Sequence, residues 1–406
     1  MIQVNDRAYQ TPARPIVGIC IDGCARDYLD AATDLMPNLQ TIIAKGASGQ
    51  VKTVIPSFTN PNNVAIVTGT TPDVNGIPGN FYYDADADEE VLMNDPKYLR
   101  APTILAAFSQ AGQHVAAVTT KDKLRLFLAQ GWQGINFSVE KAHEVNEQEH
   151  RIADVLQLVG RANPGIYDPE ASVFCIEAGA RLLEHHDIDV LYLSTTDYVQ
   201  HKYIPGSPEA NQFYARLDQF LGELDAKDII LGITADHGMN DKTREDGSPR
   251  VEYIETILNK EGISEARVIL PITDPYVVHH GALGSYATVY VAPNNIEPAA
   301  TILRQIPGVE QVLTRQQATT TYALPPDRIG DLVVLSDRHT VLGRTPQWHD
   351  LTEVATGLRS HGGLHEAEVP MIFNRPLNPA YADRLTSGQA RNFDLFDYLC
   401  NGIDLS

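Results

Sequence analysis

A nearly continuous apolar run at residues 15–23, Pro-Ile-Val-Gly-Ile-Cys-Ile-Asp-Gly, constrains this chain more than any other feature. Apolar residues without alternation suit a strand buried on both faces, and such strands belong to parallel sheets covered by helices. Three further segments read the same way: His114–Thr119, Asp189–Leu193 and Ile229–Thr234, each followed by a polar or glycine-containing turn. Helical spacing lies between them, at Asn38–Lys45, Pro102–Ala111 and Glu209–Leu224. Strands alternating with helices predict an α/β fold with a mostly parallel central sheet flanked by helices. From about residue 245 to 360 the pattern changes. Arg267–Pro271, Ala287–Ala292, Val309–Leu313 and Asp331–Leu335 read as strands around a helix-like Pro298–Gln305, which suits a smaller α+β cap or insert. Ala367–Asn374 then returns to a core strand and Arg391–Cys400 to a closing helix. The expected division is a core of residues 1–244 and 361–406 interrupted by an insert of residues 245–360.

Charge narrows the function. Lysine and arginine number 31 against 52 aspartates and glutamates, a formal balance of −21. Nucleic acid and anionic membrane surfaces are poor partners for such a chain, because phosphate backbones need a basic surface. A small anionic substrate remains compatible if metal or positive charge is concentrated locally. Four cysteines, Cys20, Cys24, Cys175 and Cys400, are too few and scattered for a disulfide scaffold and are expected to be buried reduced thiols. The first 15 residues lack an apolar signal-peptide region, and no run of 18 apolar residues occurs, so a cytoplasmic protein is expected.

Polar groups collect where a parallel sheet binds its ligands, just past the carboxyl ends of strands. Asp22 ends the first run. Thr195-Thr-Asp197-Tyr-Val-Gln-His201 follows the strand at 189–193, and Asp and His four apart meet on one face of a helical turn. Asp236-His237-Gly238 follows the strand at 229–234. Arg359-Ser-His361-Gly-Gly-Leu-His365 precedes the last core strand, and either histidine suits a metal shell. In Pro56-Ser-Phe-Thr59-Asn-Pro-Asn62-Asn-Val-Ala-Ile-Val, the residues Ser57, Thr59 and Asn60 all suit a helix N-cap and Pro61 its first turn. A hydroxyl there sits among unpaired backbone N–H groups at the positive end of the helix dipole, which favours an anion. Each motif alone has a plain structural explanation, as cap, ion pair or turn. Together, Asp22, Thr59, Asp197, His201, Asp236, His237 and His361 supply enough oxygen and nitrogen ligands for two divalent cations. Such a pair clamps an in-line displacement at phosphorus. A ligand set without thiolate suits zinc, and manganese or iron less well.

In this order, the residues resemble the alkaline phosphatase superfamily and, within it, the nucleotide pyrophosphatase/phosphodiesterase type. The shared pattern is strand-Asp-Gly, Thr-x-Pro-Asn with a following Thr-Gly, Asp-x-x-x-His, Asp-His-Gly and a late Ser/Thr-His-Gly, running from residue 15 to 375. The resemblance implies that Thr59 is the nucleophile. It places one zinc on Asp22, Thr59, Asp236 and His237 and the other on Asp197, His201 and His361. It assigns Asn80 to a phosphoryl oxygen and leaves a homodimer as the family expectation. Asn63 departs from the phosphodiesterases, which carry histidine after Thr-x-Pro-Asn. With Lys121 and Lys123, this sequence looks more like the members that cleave the carbon–phosphorus bond of phosphonoacetate.

A physical argument points the same way. If Thr119–Lys123 continues the preceding strand, Lys121 and Lys123 lie on one side of it and face one spot. An anion between them removes their repulsion, and phosphonoacetate carries a carboxylate one carbon from phosphorus. The expected substrate contacts are Thr59, Asn80, Lys121, Lys123 and His201. Two alternatives stay open: a zinc-dependent phosphodiesterase or nucleotide pyrophosphatase on the same residues, and a noncatalytic metal-binding protein. His185-His186 and His279-His280 read as surface or packing pairs, and the acidic run Asp84–Glu90 as a solvated loop.

Overall fold

The computed structural model describes residues 1–272, 281–355 and 357–404; His279 and His280 lie outside them. Seven strands build the central sheet: β1 (Ile16–Cys20), β2 (Ala47–Lys52), β3 (Val115–Thr119), β4 (Ile135–Ser138), β5 (Val190–Ser194), β6 (Ile230–Thr234) and, late in the chain, β11 (Glu368–Phe373). Their order is β2-β11-β6-β1-β5-β3-β4. From β6 to β4 neighbours run parallel, and only β11 is reversed against both of its neighbours. Every residue of β1, β3, β5 and β6 is buried, as their unbroken apolar sequences require. Full burial of each large aliphatic side chain stabilises by roughly 1.5–3 kcal/mol. The fold is thus the α/β type expected, with a mostly parallel sheet in which β11 is the reversed strand.

Helices cover both faces. On one lie Glu170–His185 and Pro208–Asp225, packed against each other. On the other, Gly18 and Gly232 stand side by side in β1 and β6. A Cβ on either would come within 3.2 Å of the Leu395 side chain, so two mid-strand glycines let the C-terminal turns press onto the sheet. Those turns are not the regular closing helix expected at Arg391–Cys400. A short 3₁₀ turn at Asn392–Asp394 leads through Leu395–Asp397 into a wide turn at Tyr398–Gly402. A second sheet, β7 (Arg267–Ile269), β8 (Tyr286–Tyr290), β9 (Val309–Thr314) and β10 (Leu332–Ser336), is antiparallel in the order β7-β8-β10-β9 and has its own apolar cluster with Ile254–Lys260 and Ile296–Leu303. The acidic run at 84–90 is exposed from residue 85 on and forms the turn of a hairpin, with Asp84 and Glu89–Glu90 in its strands Phe81–Asp84 and Glu89–Leu92. Among the described residues no helix is long and apolar enough to cross a membrane.

Candidate active site

Three strands of the central sheet end in the same place. Asp22 follows β1, Asp197 follows β5 and Asp236 follows β6, and all three carboxylates are buried. Gly23 makes their approach feasible. It adopts φ +70°, and a Cβ there would meet the Asp197 Cβ at 3.0 Å. Asp197 stands at the start of the short helix Tyr198–Lys202, which brings His201 Nε2 to 3.0 Å from Asp197 Oδ2. His361 arrives from the far end of the chain. The segment Asn240–Asp241 after His237 pairs with Arg359–Ser360, and Ser57 N and Oγ donate to the oxygens of Gly362 and Gly363.

Two overlapping clusters result: Asp197, His201 and His361, and Asp22, Asp197 and His237. Asp197 Oδ2 lies 3.5 Å from His361 Nε2 and 3.8 Å from His237 Nε2. The His237 and His361 rings stack with centroids 3.6 Å apart. Each imidazole is oriented from behind: His201 Nδ1 contacts the Arg359 oxygen at 2.8 Å, His237 Nδ1 the Gly238 oxygen at 2.8 Å, and His361 Nδ1 the Ser57 oxygen at 3.2 Å. A carbonyl only accepts, so Nδ1 of each ring carries a proton and Nε2 is the nitrogen turned toward the carboxylates, the one a metal would take. Asp22 Oδ1 and His237 Nε2 are 3.0 Å apart, buried, and make no hydrogen bond. This arrangement fits a divalent cation. The donor set is oxygen and nitrogen; burial pushes the Cys24 and Cys175 thiols up to about 12, which leaves them inert.

The electrostatics agree. Burial, then the Asp22 charge, pushes Asp236 up to about 8. For His237, burial works against the charged form, but Asp236 and Asp22 outweigh it and hold the ring up to about 9. Burial and the neighbouring His237 press His361 well below the usual imidazole range. Burial opposes ionisation of Asp197, yet Lys121 and His201 hold it well below the carboxylate range.

Thr59 opens the helix α1 (Thr59–Thr68) in its first turn, after Phe58 in the cap position. It does not cap the helix; its Oγ1 stands 3.5 Å from Asp22 Oδ2. Asn80 accepts from Asn60 Nδ2 at 2.6 Å. The extended segment expected at Thr119–Lys123 does not form. The strand stops at Thr119, the Glu140 carboxylate accepts from Asp122 N, and the helix α2 (Asp122–Leu128) begins there. Lys121 and Lys123 therefore do not project from one side of a strand. Lys121 Nζ sits 3.2 Å from both Asp22 Oδ2 and Asp197 Oδ1, so its counter-charges are the site's own carboxylates. Lys123 is half-buried in the first turn of α2. Of the two late histidines, His361 joins the clusters, whereas His365 is exposed and pairs with Glu310 at 2.8 Å.

Several supporting residues had no sequence signal. The Thr195 hydroxyl accepts from Asp22 N at 2.9 Å. Buried Arg359 donates to the Gln200 oxygen and Tyr28 Oη while its own carbonyl orients His201.

Carboxylates and imidazoles gather at the carboxyl ends of an α/β sheet, with a hydroxyl at a helix start beside them, which is the arrangement expected of the alkaline phosphatase superfamily. The model of the family "Type I phosphodiesterase / nucleotide pyrophosphatase" matches residues 16–364. The chain belongs to this family. Phosphonoacetate hydrolase from Sinorhizobium meliloti, crystallised with phosphonoacetate, is 47% identical, with 98% of each chain covered and a TM-score of 0.94. Its complex with phosphonoformate aligns equally well, at 48% identity. Murine ectonucleotide pyrophosphatase/phosphodiesterase 5, at 17% identity and TM-score 0.65 over 95% of this chain and 94% of its own, shares the fold. Among curated proteins, the venom phosphodiesterase of Macrovipera lebetinus is 27% identical over 265 residues, which is 61% of this chain and 27% of that protein. A pyrophosphatase/phosphodiesterase of Schizosaccharomyces pombe is 24% identical over 249 residues, 55% of this chain and 44% of that protein. The chain thus spans under half the length of either.

Proposed function

We propose that the chain hydrolyses phosphonoacetate to acetate and phosphate through a phosphothreonine on Thr59. The observation that carries this reading is the 47% identity, over nearly all of both chains, to a protein bound to phosphonoacetate. A Thr59 hydroxyl beside buried Asp22, with a lysine within reach of both clusters, supports it. Asp22, Thr59, Asp236 and His237 would hold one divalent cation and Asp197, His201 and His361 the other, zinc suiting this set best. When bound, the cations supply charge that favours the deprotonated threonine and the hydrolytic hydroxide, and they neutralise phosphoryl oxygens.

The residues do the rest. The Thr59 oxygen attacks phosphorus in line, an O–P bond forms, and the P–C bond breaks with its electron pair on carbon. That charge spreads into the substrate carboxylate, where Lys121 and Lys123 stabilise it as it grows. Water protonates the carbon, giving acetate. A second water then attacks phosphorus, the Thr59 O–P bond breaks, and phosphate leaves. Asn80, held by Asn60, donates to a nonbridging oxygen, and His201 borders the phosphoryl group. Residues 245–360 act as a cap over this centre, in a cytoplasmic homodimer.

Phosphodiester hydrolysis on the same residues is the second reading, supported by the family model and the venom relative. Rates for phosphonoacetate and an aryl phosphodiester, measured on the same zinc-loaded protein, separate the two. Preference for the phosphonate supports the first; preference for the diester overturns it.

A further inference from the structure

Position 63 is where the sequence departs from the phosphodiesterase pattern, and its residue is fully engaged. Asn63 is completely buried in α1, one turn after Thr59. Its Nδ2 donates to the Thr59 main-chain oxygen at 3.1 Å and to Asp236 Oδ2 at 3.0 Å. Its Oδ1 accepts from Tyr192 Oη at 2.7 Å and from Ser194 Oγ at 2.8 Å. The amide sits this way round because the flipped form would set its oxygen against the Thr59 carbonyl, which cannot donate. Both donors and both acceptor positions of Asn63 are used.

Asp236 is nearly as fully used. Its Oδ1 accepts from Gly23 N at 3.2 Å and from His237 N at 3.1 Å, and Oδ2 accepts from Asn63. A carboxylate offers about four acceptor positions, so these three bonds leave one, on Oδ2. We infer that Asn63 is a positioning residue: it aims this last lone pair of Asp236 and ties it to the helix turn carrying Thr59, so that ligand and nucleophile share one frame. The inference rests on the two-cation reading above. It also accounts for an amide at this place. Aspartate would put two carboxylates about 3 Å apart, and an apolar residue would leave Asp236 Oδ2, Tyr192 Oη, Ser194 Oγ and the Thr59 oxygen without this partner. The cluster of Asp197, His201 and His361 is oriented from elsewhere, by the Arg359 and Ser57 carbonyls. Losing Asn63 should therefore weaken one cation position and spare the other.

The test is a zinc titration of chelator-stripped protein against a chromophoric chelator, comparing wild type with Asn63→Ala and Asn63→Asp, with thermal unfolding of each metal-free protein alongside. The expected result is two cations in wild type. In both variants one should be held at wild-type affinity and the other roughly 10–100-fold more weakly, as for other residues that orient a metal ligand. A merely structural role would lower the unfolding temperature and leave both affinities unchanged, which overturns the inference. Wild type that takes up no zinc overturns the two-cation reading along with it. Should the single variants not fold, Tyr192→Phe with Ser194→Ala loosens the amide without emptying its place. The same one-sided loss of affinity is expected there, and equal affinities at both positions refute the assignment.

Discussion

The loop that carries His361 is anchored by a buried ion pair whose removal has a calculable effect. Lys242 Nζ and Glu366 Oε1 are 2.9 Å apart, and neither side chain has any exposed surface. Lys242 also donates to Ser285 Oγ at 2.7 Å and the Arg338 oxygen at 2.8 Å. Glu366 also accepts from Asn240 Nδ2 at 2.6 Å and Gly363 N at 3.0 Å. Lys242→Met keeps the length of the side chain and removes its charge. Deleting one partner of a buried pair costs roughly 3–5 kcal/mol, mostly the desolvation of the charge left behind. The two N–H donors that remain on Glu366 place the expected loss at the low end, about 3 kcal/mol, or roughly a hundredfold in the folding equilibrium. Glu366→Gln in the same chain removes the stranded charge and keeps an acceptor at Oε1 for Asn240 but loses the one Gly363 N uses, so the double variant should recover part of the loss, about 1–2 kcal/mol. Equilibrium urea unfolding of wild type, both single variants and the double variant, all in chelator, measures each quantity. A Lys242→Met loss below about 1 kcal/mol would refute the reasoning, as would a double variant no more stable than Lys242→Met.

Three further predictions follow from the site. Thr59→Ala should abolish turnover and the phosphothreonine seen in acid-quenched digests while zinc uptake persists; substantial residual turnover would remove Thr59 as nucleophile. Lys121→Met should lose about 10–100-fold in kcat/KM on phosphonoacetate, the worth of a charged hydrogen bond, and much less on an aryl phosphodiester; equal losses on both substrates would count against a carboxylate contact. In metal-free protein, Asp236 (about 8) and His237 (about 9) hold protons in the folded state that the unfolded chain releases near 4 and 6.5. The stability from Asp236 is therefore lost as pH rises from about 4 through 8 and that from His237 from 6.5 through 9, so both fall together between 6.5 and 8, by about 1.4 kcal/mol per pH unit for each proton held. Unfolding temperatures in chelator that stay level or climb over that range would contradict it.

What the sequence disclosed was set by how local each signal is. Asp22, Asp197 and Asp236 could be found because each follows an apolar strand within a few residues, and strand ends in a parallel sheet converge. Asp197 and His201 are four apart, so one helical turn settles their meeting. Thr59 was legible as a residue at a helix start, but not as one released from capping, because the cap falls on Phe58. The lysines show the opposite limit. Residues 119–123 turn into a helix where Glu140, 18 positions on, accepts from Asp122 N, a contact that nothing within those five residues reveals. Asn63 and Lys242 act through partners 129 and 124 positions away. A buried lysine looks like any other lysine until the fold supplies Glu366.

The most direct test of the account is the stoichiometry of products from phosphonoacetate and zinc-loaded protein. Acetate and phosphate should appear in equal amounts, and release should cease when a chelator strips the metal. Phosphate from an aryl phosphodiester but none from phosphonoacetate would contradict the central claim.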